Sequence, residues 1–257
     1  MKVLRVEVEA PVCSFRYPHF LVGKQLSFDM PPPSTIFGHI ASALGEWPDP
    51  ANLRFAYRFA TLGKGEDLEN QQIIVPSGGQ FAHEGQRYQK CLDVTVQPTK
   101  REFLLGAQLT LYLNRVDFAE SFLAPKFPVV LGRSQDLACY TKVEEITLER
   151  ADRGYFEATI LPFEFRRRTA RGVTVLMPRY IGPPPFREAE FDRYVLLLDT
   201  VFYLPPDEGD RFGSRQMIHL DAEPLELWVD PDSPERDGMH RIVWFHDFVS
   251  SQKGDRA

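Results

Sequence analysis

The segment FDMPPPSTIFGHIASALGE, from Phe28 to Glu46, constrains the fold more than any other stretch of the sequence. Its three consecutive prolines hold the chain extended, because each proline fixes its own φ and disfavours the helical region for the residue before it. The pattern that follows predicts a helix from Ser34 to Leu44, with Ser34 as the N-cap. Such a rigid approach fixes the N-terminus of the helix, where free N–H groups can hold a phosphate.

The predicted helix has two faces of different character. Apolar residues form one stripe, and small residues recur three and four positions apart on the other face: Gly38, Ala41, Ser42 and Gly45. A stripe of small residues lets another backbone or a ligand come close. A tightly packed structural helix explains the same pattern equally well, and the residues alone leave both interpretations open.

Alternating apolar and polar residues predict strands on both sides of this helix. One strand is expected over Val3–Ala10, with Arg5 on its polar face. A second, half-buried strand is expected over residues 108–114, with Tyr112 on its polar face. Residues 117–127 indicate a short helix, and the last third of the chain is expected to be mostly strands.

Residues 66–100 are polar and predict a long, protruding hairpin, whose turn we expect at 77–79, Ser-Gly-Gly. The order of elements over the first part of the chain is typical of a ferredoxin-like, RRM-type unit, which is an α+β fold. The predicted organisation is a ferredoxin-like domain over residues 1–145 with its hairpin at about 72–99, a smaller β-rich region over 146–249, and a flexible tail over 250–257.

The charge of the chain is acidic overall but unevenly distributed. The net charge is −6, which taken alone argues against a nucleic-acid partner. The segment from Pro183 onward has 8 basic and 16 acidic residues, whereas residues 1–182 have 22 basic and 20 acidic residues. Basic residues bunch at Lys100-Arg101 and at 166–168. A solvated surface explains each cluster simply, but an RNA-binding face with an acidic far side remains an open alternative.

The sequence contains few signals for catalysis, metals or membranes. The cysteines, Cys13, Cys91 and Cys139, lack CxxC spacing and indicate reduced thiols in a cytoplasmic protein. No apolar run approaches the roughly 20 residues that span a bilayer, so no membrane association is expected. The sequence has no HExxH motif, carboxylate cluster or P-loop, and we expect neither a metal nor a cofactor.

Four segments stand out in order along the chain: SFRYPHF, PPPSTIFGHIASALGE, TKREFLLGAQLTLYL and VVLGRSQDLA. In their order and spacing they resemble the CRISPR-associated protein 5 family, whose members are RAMP-superfamily subunits of type I Cascade surveillance complexes. The resemblance covers roughly residues 1–145 and is closest to the type I-B-like branch. The last third of the chain matches only loosely.

The resemblance implies a concrete role in a ribonucleoprotein of antiviral defence. Such a subunit has an RRM-type RAMP fold and caps the 5′ handle of the crRNA without catalysing a reaction. Its long hairpin, the thumb, reaches the neighbouring Cascade backbone subunit. It also contacts the Cascade large subunit that reads the PAM, which places target DNA near the PAM among the expected partners.

Single-stranded RNA is bound by cations that contact phosphates and by flat side chains that stack on bases. Residues of both kinds lie within or beside the family segments. The predicted RNA-binding residues are Arg16, Tyr17, Phe20, Lys24, Ser34, Thr35, Lys100, Arg101, Arg133, Ser134, Arg166, Arg167 and Arg168. The last three rest on a weaker match than the others.

Two alternatives to a non-catalytic subunit stay open. A branch of the family in type I-C systems cleaves pre-crRNA with a tyrosine and an adjacent Lys-His pair, but no Lys-His dipeptide occurs in this chain. His19, near Tyr17 and Lys24, is the only grouping that resembles a site for metal-independent cleavage. The other alternative is a generic RRM-like binding scaffold. We predict that the chain is not an enzyme.

Overall fold

The computed structural model describes residues 1–19, 23–205, 212–213, 216–218 and 227–249; at 92–93 it describes the backbone only. Strands dominate these residues, and helices are few. In chain order the elements are β1 (Lys2–Cys13), β2 (Lys24–Gln25), α1 (Pro33–Leu44), β3 (Arg54–Ala60), β4 (Gly63–His83), β5 (Gln86–Leu113), α2 (Ala119–Leu123), β6 (Cys139–Thr147), β7 (Glu149–Ala151), β8 (Gly154–Phe156), β9 (Thr159–Pro162), β10 (Gly172–Ile181), β11 (Ala189–Leu197), β12 (Val201–Tyr203), β13 (Leu227–Asp230), β14 (Arg241–Ile242) and β15 (His246–Asp247). Short 3-10 helices cover Pro50–Asn52, Val116–Phe118 and Phe163–Arg167.

The main sheet has the strand order β15-β3-β5-β1-β6, with every neighbouring pair antiparallel. Alternate residues of its strands point to one face and meet both helices there. Leu4 and Leu111 from the sheet pack in one buried cluster with Ile36 of α1 and Phe122 of α2. The apolar stripes predicted for β1 and α1 therefore form the main core.

Helix α1 begins one residue earlier than predicted, and Ser34 does not cap it. The N-cap is Pro32, with no side-chain cap hydrogen bond. Pro33 takes the first helical position, where its missing N–H costs nothing. The amides of Thr35 and Ile36 donate to the carbonyl of Pro32, at 2.8 and 3.2 Å. The prolines thus define the start of the helix, and the predicted role of Ser34 as N-cap is wrong.

The predicted hairpin is formed by β4 and β5, but its turn lies further along the chain than expected. The two strands pair antiparallel as far as the turn at Glu84-Gly85, where both residues have positive φ, 48° and 79°. At 77–79 the strand register shifts and then resumes at Gln80. The Ser-Gly-Gly segment is therefore an irregularity within β4, and the turn prediction at 77–79 is wrong.

The second face of the main sheet is covered, which the sequence pattern did not predict. Arg5 and Tyr112, expected on polar faces, are only 6% and 1% exposed. Tyr112 donates a 2.6 Å hydrogen bond to Asp230 Oδ2, and Arg5 Nη1 donates to the same oxygen at 2.9 Å. Val243 packs in a small apolar cluster with Tyr112. Residues from the end of the chain therefore bury these two side chains.

Two further sheets follow the main sheet in the chain. One has the order β10-β11-β9, and the other has the order β12-β8-β14-β13-β7. They share a second core that includes Phe156, Val195 and Tyr203. Ile160 and Leu196 belong to the main core instead. The predicted division of the chain at residue 145 stays a prediction.

No helix among the described residues has the length and apolar character needed to cross a membrane. The predicted flexible tail, 250–257, lies outside the residues that the structure describes.

Candidate nucleic-acid interface

Four of the predicted cations come together at the base of the hairpin. β2 pairs parallel with β5, so that Lys24 lies opposite Lys100 and Gln25 opposite Arg101. Arg133, from the turn before β6, meets Arg101 because both bind the carboxylate of Glu69 on β4. We call the four cations and the carboxylates that bind them the hairpin base cluster; it comprises Lys24, Lys100, Arg101, Arg133, Glu66, Glu69, Glu102 and Asp136.

Arg133 is held by two carboxylates. Its Nε and Nη2 atoms donate to Asp136 Oδ1 at 3.1 and 2.8 Å, and its Nη1 donates to Glu69 Oε1. The hydrogen bonds that Arg133 donates to Asp136 raise the pKa of Arg133 despite its partial burial. The backbone N–H of Arg133 donates to Asp136 Oδ2 at 3.1 Å. Ser134, beside it, is exposed.

Lys24 and Arg101 are also paired within the chain. Lys24 binds Glu66 and lies 3.3 Å from Glu102 Oε1. The hydrogen bond to Glu66 raises the pKa of Lys24. Arg101 Nε donates to Glu69 Oε2 at 2.5 Å and is largely buried. Each of these cations has a carboxylate partner, so the hairpin base is not a bare cationic patch.

The hairpin base cluster is attached to the segment that leads into α1. Glu102 accepts a 3.3 Å hydrogen bond from the Ser27 amide, and its carbonyl accepts one of 2.7 Å from Ser14 Oγ. Arg16 forms a backbone bridge with Ser27 and is exposed. The chain path therefore brings Arg16 close to the hairpin base cluster.

Tyr17 and Phe20 are the two aromatic residues predicted to bind RNA beside Arg16. The ring of Tyr17 stacks on Phe28, with ring centroids 3.8 Å apart. Burial, together with nearby Asp29 and Glu102, raises the pKa of Tyr17. One face of this ring is thus already covered by Phe28. Phe20 lies outside the described residues.

Ser34 and Thr35 lie in the first turn of α1 and are half-buried.

The other predicted arginines, at 166–168, form a separate group in the three-stranded sheet region. The guanidinium of Arg166 lies 4.1 Å from the ring centroid of Phe163, and that of Arg168 lies 5.6 Å from the centroid of Phe165. Arg166 and Arg167 are exposed. The three arginines lie around the 3-10 helix beside β9, whereas the hairpin base cluster belongs to the main sheet.

The three residues of the grouping that resembled a cleavage site have different neighbours. Tyr17 and Lys24 both lie near Glu102. The ring of His19 lies 6.1 Å from that of Phe191 on β11. Burial and neighbouring carboxylates disfavour the ionised form of Tyr17, the form that takes up a proton.

A polar cleft of about 560 Å³ lies between the second face of the main sheet and the chain's last strands. Its basic side chains already have partners: Arg58 binds Glu157 at 2.9 Å, and Arg241 binds the same carboxylate at 3.1 Å. Burial raises the pKa of Glu157, but Arg241, Arg58 and Arg236 outweigh it and lower the pKa. These pairs stabilise the packing of the last strands on the sheet.

Sequence reasoning missed the carboxylates of the hairpin base cluster. Glu69 lies in a polar, alternating run with no local feature that distinguishes it from Glu66. Only the register of β4 against β5 shows that Glu69, and not Glu66, points toward Arg101 and Arg133. Asp136 had a weak signal, since it follows Arg133 by three residues within one turn.

The sequence matches the family described as CRISPR-associated protein (Cas_Cas5) over residues 3–181, well over half of the chain. The chain belongs to this family. Membership in the Cas_Cas5 family confirms the resemblance carried by the four segments. The match continues beyond residue 145 to the end of β10, further than those segments reach.

Three solved CRISPR structures are similar to the chain at low identity. A chain of the "CRISPR RNA-guided surveillance complex" is 16% identical in sequence, with a TM-score of 0.49, and the match covers 78% of this chain and 89% of that chain. A CRISPR protein from Archaeoglobus fulgidus has 11% identity and a TM-score of 0.41, over 77% and 87%. The Type III-B Cmr-beta complex, bound to cognate target RNA and AMPPnP, has 11% identity and a TM-score of 0.43, over 77% and 84%. No curated protein matches the chain. Because these scores are low, the family assignment rests on the sequence match alone.

Proposed function

We propose that this chain is a non-catalytic, crRNA-binding subunit of a type I CRISPR Cascade effector complex and caps the 5′ handle of the crRNA. The observation that carries the proposal is the family match over residues 3–181. The order β3-β5-β1-β6, with α1 and α2 packed on one face, supports a ferredoxin-like RAMP unit as its framework.

The handle is proposed to bind along the segment before α1 and the base of the hairpin. Arg16 and Lys24 are exposed there, and Arg101 and Arg133 lie together on Glu69. These cations are proposed to contact several phosphates of the handle. Ser34 and Thr35, in the first turn of α1, lie on the proposed path of the same strand.

The hairpin is proposed to act as a thumb that contacts the neighbouring backbone subunit. Its outer part exposes apolar side chains on both strands: Ile73, Ile74, Val75, Phe81, Tyr88, Val94 and Val96. A two-stranded ribbon with few buried contacts of its own opens easily in isolation. A partner that covers these side chains is expected to order it.

The arginines at 166–168 are proposed to contact RNA at a second place on the surface. Arg166 and Arg167 are exposed, and the stacking of Arg166 on Phe163 keeps its guanidinium plane available as a flat surface. They lie apart from the hairpin base cluster, which is consistent with a separate contact. In a complex, they are expected to contribute electrostatic affinity rather than handle specificity.

The test is incubation of the purified protein with a labelled repeat RNA, followed by native and denaturing gels. Retention of intact RNA that depends on the handle sequence supports the proposed function. Cleavage of the RNA supports the endoribonuclease alternative instead. If neither occurs, the chain is a scaffold of a different kind.

A further inference from the structure

Glu69 occupies an unusual position in the hairpin base cluster. Its Oε2 atom accepts a 2.5 Å hydrogen bond from Arg101 Nε, and its Oε1 atom accepts one from Arg133 Nη1. The Nε2 atom of Gln135 lies 3.3 Å from the same Oε1. A carboxylate between two guanidinium groups takes the place that a phosphate group takes in arginine-based recognition.

Two further polar side chains, one beside Glu69 and one beside Arg101, are buried. Gln25 and Thr99 are each only 1% exposed. Within the part of the chain that the structure describes, neither amide atom of Gln25 nor the hydroxyl of Thr99 has a hydrogen-bond partner. Buried polar groups are almost always paired, so unpaired ones call for an explanation.

The strand registers place these groups on one face of the sheet. Gln25 lies opposite Arg101, and Glu69 lies opposite Thr99. Arg101 and Thr99 are two residues apart on β5, so their side chains point the same way. Thr99 therefore lies beside Glu69 and Gln25 lies beside Arg101, and this hydroxyl and this amide are able to bind a further polar ligand.

We propose that Glu69 is an internal competitor of RNA, whose carboxylate occupies the position of a phosphodiester group between Arg101 and Arg133. RNA that binds here displaces Glu69, and Gln25 and Thr99 then gain partners from the RNA or from a water that accompanies it. The inference rests on the proposed RNA-binding function and deepens it. Glu69 thereby sets an affinity threshold, because only RNA with enough additional contacts binds tightly enough to displace it.

The surrounding structure permits this exchange. The carboxylate of Asp136 accepts hydrogen bonds from both the side chain and the backbone N–H of Arg133. Arg133 therefore keeps its orientation when Glu69 leaves. Glu69 itself is 21% exposed and lies on a strand of the hairpin, so its side chain has room to turn outward. The exchange needs no change in the fold of the main sheet.

The test uses Glu69→Gln, which removes the charge and keeps the size of the side chain. We expect this variant to bind an unrelated single-stranded RNA about ten-fold more tightly than the wild type and to gain as much for the handle RNA, because the competing anion is gone for both. Glu84→Gln at the exposed tip of the hairpin is the matched control, with the same change in net charge. It should change both affinities less than two-fold. Thermal melting of each variant verifies that it is folded.

The double variant Glu69→Gln with Arg101→Gln should lose the gain, because one of the two guanidinium groups is then missing. Equal effects of Glu69→Gln and Glu84→Gln overturn the inference, as does an unchanged affinity of Glu69→Gln for unrelated RNA. A wild type that does not prefer the handle refutes the proposed function. In that case the affinity for unrelated RNA still decides whether Glu69 is a competitor. If Glu69→Gln binds unrelated RNA no more tightly than the wild type does, the inference is overturned.

Discussion

Replacement of Asp230 by alanine should strongly destabilise the protein. The Asp230 side chain is 1% exposed and accepts hydrogen bonds from Arg5 Nη1 at 2.9 Å, from Tyr112 at 2.6 Å and from the Asp232 amide at 3.0 Å. Arg5 also pairs with Glu144, so its charge stays compensated. Loss of Asp230 nevertheless leaves the buried Tyr112 hydroxyl and one N–H group of Arg5 without their acceptor, which costs about 1–3 kcal/mol for each group. We expect a loss of that size in the free energy of unfolding, measured by urea denaturation at pH 7.

Asp199→Ala is the control for this measurement. Asp199 pairs with Arg171 at 2.8 Å, but its side chain is 60% exposed. Exposed pairs of this kind contribute about 0–1 kcal/mol, so the control should lose less than about 1 kcal/mol. The reasoning fails if Asp230→Ala also loses less than about 1 kcal/mol, since Asp230 would then not hold the end of the chain against the sheet.

Three further predictions follow from the described contacts. Ser34→Ala should change the free energy of unfolding by less than about 0.5 kcal/mol, because Ser34 makes no cap hydrogen bond; a loss of 1 kcal/mol or more in a denaturation curve would show otherwise. Burial lowers the pKa of both His39 and His246 from 6.5 to about 4, so the unfolded chain binds more protons and stability falls as the pH drops from 6.5 to 4. The loss at pH 5 should reach about 2 kcal/mol for each histidine, and equal denaturation midpoints at pH 7 and pH 5 would contradict it. Amides of residues 75–95 should exchange faster in the isolated protein than in the assembled complex, and equal hydrogen-exchange protection in both would exclude ordering by a partner.

Local sequence patterns predicted the elements that are determined by residues close together in the sequence. The three prolines before Ser34 and the left-handed Gly45 bound α1 within one residue of the predicted limits. The hairpin was predicted from its polar composition, but its turn was placed at 77–79 instead of Glu84-Gly85. Gly-rich segments mark both turns and irregularities in a strand, and only the pairing of the two strands distinguishes them.

Long-range partners account for what the sequence did not predict. Arg5 and Tyr112 alternate as solvent-facing residues do, yet Asp230 buries both from more than a hundred residues away. In the candidate site, Arg101 and Arg133 were identified as binding residues, but Glu69 between them was not. No local pattern indicates which carboxylate of β4 faces these arginines, because a shift of one residue in register reverses the face.

The most direct test of the central claim is the affinity of the purified protein for a labelled 5′ handle RNA, measured over a range of salt concentrations beside a scrambled RNA of equal length. The account predicts tighter binding of the handle, with an affinity that falls with salt by a slope of about 0.7 for each phosphate contacted. Arg16→Ala should weaken handle binding while leaving the unfolding midpoint nearly unchanged, since Arg16 is exposed. Equal affinity for the two RNAs, or binding that is insensitive to salt, would contradict a subunit that caps the handle.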